Sequence, residues 1–338
     1  MLKTAEAVSV GHPDKTADYI SSYILDHLIA QDPFVRYAVE VMIKDQTIVL
    51  GGEISGKIQQ HDYEAYVKQA LRNIGYDEKY AAVWGDQAIN INKITVIDLI
   101  GKQSAEIYQG VESGGWGDQG VYVGYACQQE GYIPQELYLA QKLNRALYEK
   151  ARREDVLGID IKTQITVDNG QVITAIAAVP MREKVDLSAY IEDVLGQKPQ
   201  QIIVNAAGDY KQHSSVADCG VTGRKLACDF YETASPIGGG SPWTKDPSKA
   251  DLTLNLYARQ LAVENLADYD EVWVYLSSCI GRVCLPSATL KWRRGELYGE
   301  KKLPDLLPPN ELIEVMNLRR PIYADLCLRG LIGVRDEF

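Results

Sequence analysis

The chain has 338 residues, 46% of them hydrophobic, enough for a sizeable core in one large domain or two or three smaller ones. Its 35 Lys and Arg stand against 46 Asp and Glu, a net charge of −11 that argues against non-specific nucleic-acid binding. The six cysteines include no CxxC pair, so reduced, mostly buried thiols are expected rather than a structural zinc, and no apolar run of about 18 residues exists to span a membrane. The start, Met1-Leu2-Lys3-Thr4-Ala5-Glu6, lacks the apolar stretch of a signal peptide, so a soluble cytoplasmic protein is expected.

In chain order, Pro13-Asp14 opens a helical pattern that reaches about Gln31. Ala17, Ile20, Ile24 and Leu28 recur at helical spacing, and proline suits a first turn. Val35, Tyr37, Val39, Val41 and Ile43 alternate as the apolar face of a strand, and Asp45-Gln46 turns the chain into a second strand over 47–54. Tyr63, Tyr66, Val67, Ala70, Leu71 and Ile74 predict a helix; so do Leu137, Ala140, Leu143 and Leu147, within 135–153. Residues 159–179 read as a hairpin turned at Asp168-Asn169-Gly170. Asp160 and Lys162 lie two apart and so point to one side of it. They form either a polar pair offered to a ligand or an ordinary solvent-facing row. A strand near 201–205, a helix near 252–268, a strand near 271–278 and a helix near 309–318 follow. The alternation predicts an α/β or α+β fold.

Three segments carry chemistry: Gly11-His12-Pro13-Asp14-Lys15, the run from Asp218 through Gly220, Gly223 and Arg224 to Lys225, and the run from Gly238-Gly239-Gly240 through Lys245 and Lys249 to Asp251. Each sets glycines beside cations and a carboxylate. Open backbone permits close approach, Lys and Arg suit phosphate oxygens, and Asp suits Mg2+, so the three together point to a polyphosphate site. No G-x-x-x-x-G-K-[ST] motif occurs, which disfavours a plain P-loop ATPase.

These segments, in this order, resemble the S-adenosylmethionine synthetase family. Further matches are Val49-Leu50-Gly51-Gly52-Glu53, Gly101-Lys102-Gln103-Ser104, Gly117-Asp118-Gln119-Gly120 and Asp160-Ile161-Lys162-Thr163-Gln164. The resemblance runs from about residue 4 to residue 323, in a chain that is short and divergent for the family. It implies three similar mixed-sheet and helix units with pseudo-threefold symmetry, whose sheets pack at a dimer interface. By sequence the units cover 1–100, 110–216 and 217–338, with spatial domains built from discontinuous segments. The implied reaction is attack of methionine sulfur on C5′ of ATP, displacing triphosphate, which is then hydrolysed to diphosphate and phosphate. Mg2+ (two per site) and K+ are the implied cofactors. The implied partners are ATP, L-methionine and further copies of the chain, as a dimer or dimer of dimers with shared sites, and neither nucleic acid nor membrane.

Residue by residue, the resemblance implies that His12 contacts the departing side of C5′, near the ribose oxygen and the triphosphate. Asp14 and Asp251 correspond to Mg2+ ligands and Glu40 to the K+ ligand. Asp14 is also a carboxylate favoured at a helix N-terminus. Lys162, Arg224, Lys225 and Lys245 correspond to the basic residues around ATP, with Lys245 a candidate for triphosphate hydrolysis. Ser241, Asp160 and Asp218 belong to the ATP site, Asp218 facing the methionine amino group or the ribose. Tyr210 stands at the adenine-stacking position, with Asp209 beside it. Ile280 matches an apolar residue near adenine, although a plain core isoleucine is as natural a reading. Glu53, Gln103 and Asp118 match methionine positions that reach the partner subunit's site, and Lys249 lies toward methionine. His27, His61 and His213 are read as structural or surface residues.

Four departures surround this set. Trp116 replaces a small residue, either narrowing the methionine pocket or packing outward. Asp209 replaces an arginine. Residues 211–216 replace a glycine-rich stretch. Tyr231-Glu232-Thr233 replaces a tyrosine and two glycines, with Ile237 in place of a histidine. They leave open a catalytically weak regulatory paralogue and an adenosyltransferase that uses another sulfur amino acid.

Overall fold

A computed structural model describes residues 2–59, 61–102, 114–304 and 306–330. It has three four-stranded sheets, each drawing strands from distant parts of the chain. The first sheet is ordered β1 (Leu2–Val8), β6 (Lys162–Asp168), β7 (Gln171–Ala178), β8 (Gln201–Val204). The second is ordered β4 (Thr95–Lys102), β3 (Thr47–Ser55), β2 (Arg36–Lys44), β9 (Gly220–Val221). The third is ordered β12 (Leu297–Lys302), β11 (Ser287–Arg294), β10 (Glu271–Ser278), β5 (Gly120–Cys127).

The first two sheets share one plan. A hairpin, β6–β7 or β2–β3, is followed by a helical crossover to a parallel strand, β8 or β4, and the far edge takes an antiparallel strand, β1 or β9. The third sheet has only antiparallel pairs. Each hairpin turn has a local cause: Asn169 and Gly170 supply positive φ (50° and 84°), and Asp45 does so at the β2–β3 turn (52°).

One helix backs each sheet. The first helix, α1 (Pro13–Gln31), lies on β2 and β9. After α2 (Tyr63–Ile74) and α3 (Glu78–Trp84) comes α4 (Gln135–Ala151), which covers β1 and β6. Further on are α5 (Ser188–Leu195), α6 (Ser214–Ala217), α7 (Leu226–Asp229) and α8 (Ala250–Glu264), the last of which covers β5 and β10. The short α9 (Pro309–Val315) and α10 (Tyr323–Arg329) follow, and α10 packs on α1. Gly124 of β5 lets α8 approach closely, since a Cβ there would overlap the Ala258 carbonyl.

Helix α1 is central. Ala17, Ile20, Ile24 and Leu28 are buried as their spacing predicts, but so are Asp14, Lys15, Asp18, Ser21 and Ser22. A helix this polar can be buried only where those groups find partners. Asp26 shows the pattern: its two oxygens accept the Tyr323 and Ala324 N–H groups (2.9 and 2.8 Å), capping α10. Burial pushes the Asp26 carboxyl up to about 6. Among the described residues no helix is long and apolar enough to cross a membrane. All six thiols are free. Cys127, Cys228 and Cys327 are buried, Cys219 and Cys279 are half-buried and Cys284 is exposed, so only half of them match the expected burial.

Candidate active site

His12 caps α1. Its backbone is extended and its Nδ1 accepts the Asp14 N–H (3.2 Å). A neutral ring that accepts at Nδ1 carries its proton on Nε2. Burial, together with Lys225 and Lys162 and against Asp14 and Asp218, lowers the His12 pKa to about 3. The ring is therefore a neutral N–H donor at pH 7. Asp14, the second residue of the helix, is wholly buried. The Val221 N–H donates to its Oδ1 (2.9 Å), the Lys225 ammonium is bonded to Oδ2, and the Arg224 guanidinium lies 3.8 Å away. Burial alone would raise the Asp14 pKa, but the bonds from Lys225 and Val221 outweigh it and hold the carboxyl below its ordinary range.

Asp160 and Lys162 approach from the first sheet. The Ser214 N–H donates to Asp160 Oδ2 (2.8 Å). Burial pushes the Asp160 carboxyl up to about 7, against Ser214 and Lys162 and with help from Asp218 and Asp14. Burial and the charge of Asp160 also raise the Tyr210 phenol. Asp218 is exposed and accepts the Cys219 N–H (2.8 Å). Asp209 is exposed and accepts from the Asn205 amide (3.3 Å). His12, Asp14, Asp160, Lys162, Tyr210, Asp218, Arg224 and Lys225 thus occupy one neighbourhood, although they come from three separate stretches of sequence.

The third segment joins this group along the edge of β2. Val39 N–H donates to Thr244 O (3.0 Å), Asp246 N–H to Tyr37 O (3.1 Å), and Ala38 pairs with Lys245. Residues 244–246 therefore continue the edge that Val221 and Thr222 begin at Met42 and Val41. Lys245 Nζ is 2.9 Å from Asp251 Oδ2 and donates to Ser241 O (3.2 Å). The Tyr122 hydroxyl donates to Asp251 Oδ1 (3.3 Å) and also meets Ser278 Oγ (3.3 Å), which in turn donates to Asp118 O (2.8 Å). Lys249 turns inward to Asp246 (2.9 Å).

Glu40 projects from the solvent side of β2, where it accepts from the Thr222 hydroxyl. Glu53 stands opposite Ala38 on the same outer face, in one row with Lys245. Asp118 is exposed, its carboxylate accepting the Gln119 N–H (2.7 Å). Gln103 and Ser104 lie outside the described residues. Ile280 is 57% exposed, so the plain core reading of that residue falls. Trp116 is 1% exposed, so it does not pack outward; its N–H and carbonyl bond Arg282 O and Gly281 N (2.9 and 2.8 Å).

Sequence reasoning missed the residues that hold this set in place. Thr222 lies inside a quoted motif, but nothing in the motif distinguishes it. Ser214 and Tyr122 carried no signal, because their partners Asp160 and Asp251 are 54 and 129 residues away. His213, read as structural or surface, is buried beside Tyr80 and Trp84.

The sequence matches the family models described as S-adenosylmethionine synthetase N-terminal domain over residues 1–105, central domain over 113–213 and C-terminal domain over 212–338. Its fold is similar to a solved structure described as an unusual S-adenosylmethionine synthetase from Campylobacter jejuni. That likeness has a TM-score of 0.87 and 30% sequence identity, over 99% of this chain and 95% of that one.

Proposed function

The chain belongs to the S-adenosylmethionine synthetase family, and from that premise we propose that it joins ATP to L-methionine. Methionine sulfur attacks C5′, triphosphate leaves, and the same site hydrolyses it to diphosphate and phosphate. The observation that carries this reading is the meeting of His12, Asp160, Lys162 and the Arg224–Lys225 pair with the Lys245–Asp251 pair at the start of α8.

A thioether has no proton to lose, so the attack needs no general base. The barrier lies in charge growing on the leaving triphosphate, which fixed positive charge and aligned donors relieve. His12 supplies a neutral Nε2–H, and Arg224, Lys225, Lys162 and Lys245 supply the charge. Tyr210 offers a ring face for adenine. The donor set fits Mg2+: Asp14 is held ionised, and Asp14 and Asp251 each present hard carboxylate oxygens. Bound there, Mg2+ would neutralise phosphate oxygens. Glu40 and the Thr222 hydroxyl offer oxygen ligands to K+.

The outer face of the second sheet bears Glu53 and Glu40 amid exposed Met42, Ile97 and Leu99. An apolar sheet face of this kind suits a second copy of the chain, so that Glu53 would serve a shared site. Trp116, buried one residue before Gly117-Asp118, favours as a second reading a site whose preferred thioether differs from methionine.

The test is purified protein with ATP, L-methionine, Mg2+ and K+, assayed by mass spectrometry for S-adenosylmethionine and separately for diphosphate and phosphate. Equal yields of all three, abolished by His12→Ala, are expected. Phosphate without the sulfonium product would refute adenosyl transfer. ATP binding with no product would point to a regulatory paralogue, and product from another thioether alone to the second reading.

A further inference from the structure

Behind the site lies a buried cluster that the proposed chemistry does not use. Lys15 Nζ donates to Asp18 Oδ2 (3.2 Å) and Asp229 Oδ2 (2.8 Å), and all three residues are buried. The Trp243 Nε1–H donates to the same Asp229 oxygen (2.8 Å), and the Lys15 ammonium lies 4.6 Å from the centre of the indole. Asp18 Oδ1 accepts the Gly223 N–H (2.8 Å), and the Ser22 hydroxyl donates to Trp243 O (3.3 Å).

The bonds of Lys15 to Asp229, Gly223 to Asp18 and Ser22 to Trp243 O tie the phosphate-site segments to α1, and the Trp243–Asp229 bond ties those segments to each other. Gly223 precedes Arg224 and Lys225, which hold Asp14. Trp243 stands two residues before Lys245, which holds Asp251. Asp229 closes the helix that follows Lys225. Two carboxylates and one ammonium buried together are weak evidence for stability, since their desolvation offsets much of their attraction. They are better evidence for a fixed geometry, because every bond in the cluster is directional and its donors are aimed at particular oxygens.

We propose that Lys15, Asp18, Asp229 and Trp243 form a brace of positioning residues that sets the distance between the Arg224–Lys225 loop and the Lys245–Asp251 loop, and so the fit of the site to triphosphate. This rests on the reading of the site as one that makes and then hydrolyses triphosphate. None of the four touches the candidate substrate positions. Asp18 acts through Gly223, beside Arg224; Asp229 through the helix that follows Lys225; Trp243 through Lys245 two residues on; and Lys15 by holding Asp18 and Asp229.

Two mild variants test the brace: Trp243→Phe, which keeps an aromatic ring but loses the N–H donor, and Asp18→Asn, which keeps the acceptor for Gly223 but loses the charge facing Lys15. Two readouts are independent of how much protein is folded. One is the calorimetric affinity for inorganic triphosphate with Mg2+, with the stoichiometry giving the competent fraction. The other is the share of triphosphate released intact per S-adenosylmethionine formed. We expect affinity to fall about tenfold, within the roughly hundredfold that a 1 Å misplacement can cost, and the intact share to rise severalfold. Unchanged affinity and unchanged product ratio overturn the brace, even if the variants melt earlier. Failure of both variants to fold also overturns it, since the cluster is then only a folding element. If the wild type makes no sulfonium product, the functional reading fails and triphosphate affinity alone decides the brace. If the wild type binds no triphosphate, both fail.

Discussion

His213 makes the fold acid-labile by an amount the structure sets. Its Nδ1–H donates to Lys211 O (2.7 Å), its Nε2 is bonded to the Tyr80 hydroxyl, and its ring packs edge-on against Trp84 at 4.7 Å. The Tyr80 oxygen also accepts the Ile159 N–H (3.3 Å), so a proton added at Nε2 forces the Tyr80 hydroxyl to give up its donation to the ring. Burial accordingly lowers the His213 pKa from 6.5 to about 4. Between those values the unfolded histidine is protonated and the folded one is not, so stability is present in full above pH 6.5 and drains away as pH falls toward 4. That interval is worth about 3 kcal/mol. His12 acts in the same sense down to about 3, while Asp18, Asp160 and Asp26, raised to about 7, 7 and 6, act in the opposite sense. The whole-protein slope is therefore a sum, and only a difference isolates His213. Urea unfolding of wild type and His213→Gln, followed through tryptophan fluorescence from pH 7.5 to 4, should show the variant less stable at pH 7.5. Wild type should lose about 3 kcal/mol relative to the variant on the way down. Parallel pH profiles would refute the argument.

Two further outcomes follow from backbone geometry. Gly240 has φ 79°, and a Cβ there would overlap the Asp251 carboxylate, so Gly240→Ala should cut turnover roughly a hundredfold by displacing Asp251 while the far-ultraviolet circular dichroism stays native. A variant with wild-type turnover would show that Asp251 is not where the activity needs it. Glu232 holds φ 49°, a conformation that costs an L-residue about 1 kcal/mol. Glu232→Gly should therefore leave urea stability unchanged or higher, whereas an ordinary loop Glu→Gly substitution would lower it.

The elements legible in the sequence were those in which one face is buried and the turn is marked. The β2–β3 pair, the hairpin around Asn169-Gly170 and β10 have that character, whereas helix α1, buried on most sides, was legible from its proline start and the spacing of Ala17, Ile20, Ile24 and Leu28. Strands β11 and β12 escaped because Lys291, Arg293, Arg294, Glu300 and Lys301 interrupt any alternation. The hairpin they form is largely exposed, so no burial forces a pattern on it. Strand β9 is two residues long and exists because β2 offers it an edge. In the site, His12, Asp14, Arg224, Lys225, Lys245 and Asp251 were legible because glycines and charges cluster locally around them. Their supports were not. Ser214, Tyr122 and the Lys15–Asp229–Trp243 cluster join residues separated by 14 to 214 positions, and no local pattern encodes such a pairing.

Two non-glycine residues in the left-handed region show what the backbone insists on. Ser214 adopts φ 55° and Glu232 φ 49° without being glycine. A side chain makes that left-handed conformation costly, so each case needs a compensating hold. For Ser214 the hold is visible: its N–H binds Asp160, its hydroxyl accepts the Ile89 N–H (2.8 Å), and its neighbour His213 is locked between Tyr80 and Lys211. Stiffness that a glycine-rich loop lacks is thus supplied by side chains packed behind it. That packing ties Asp160, through Ser214, to the His213 imidazole, so a loss of ATP affinity as pH falls toward 4 should vanish in His213→Gln, apart from the change near pH 7 where Asp160 gains its proton. Affinity loss identical in both proteins would instead place the titrating group at Asp160 itself.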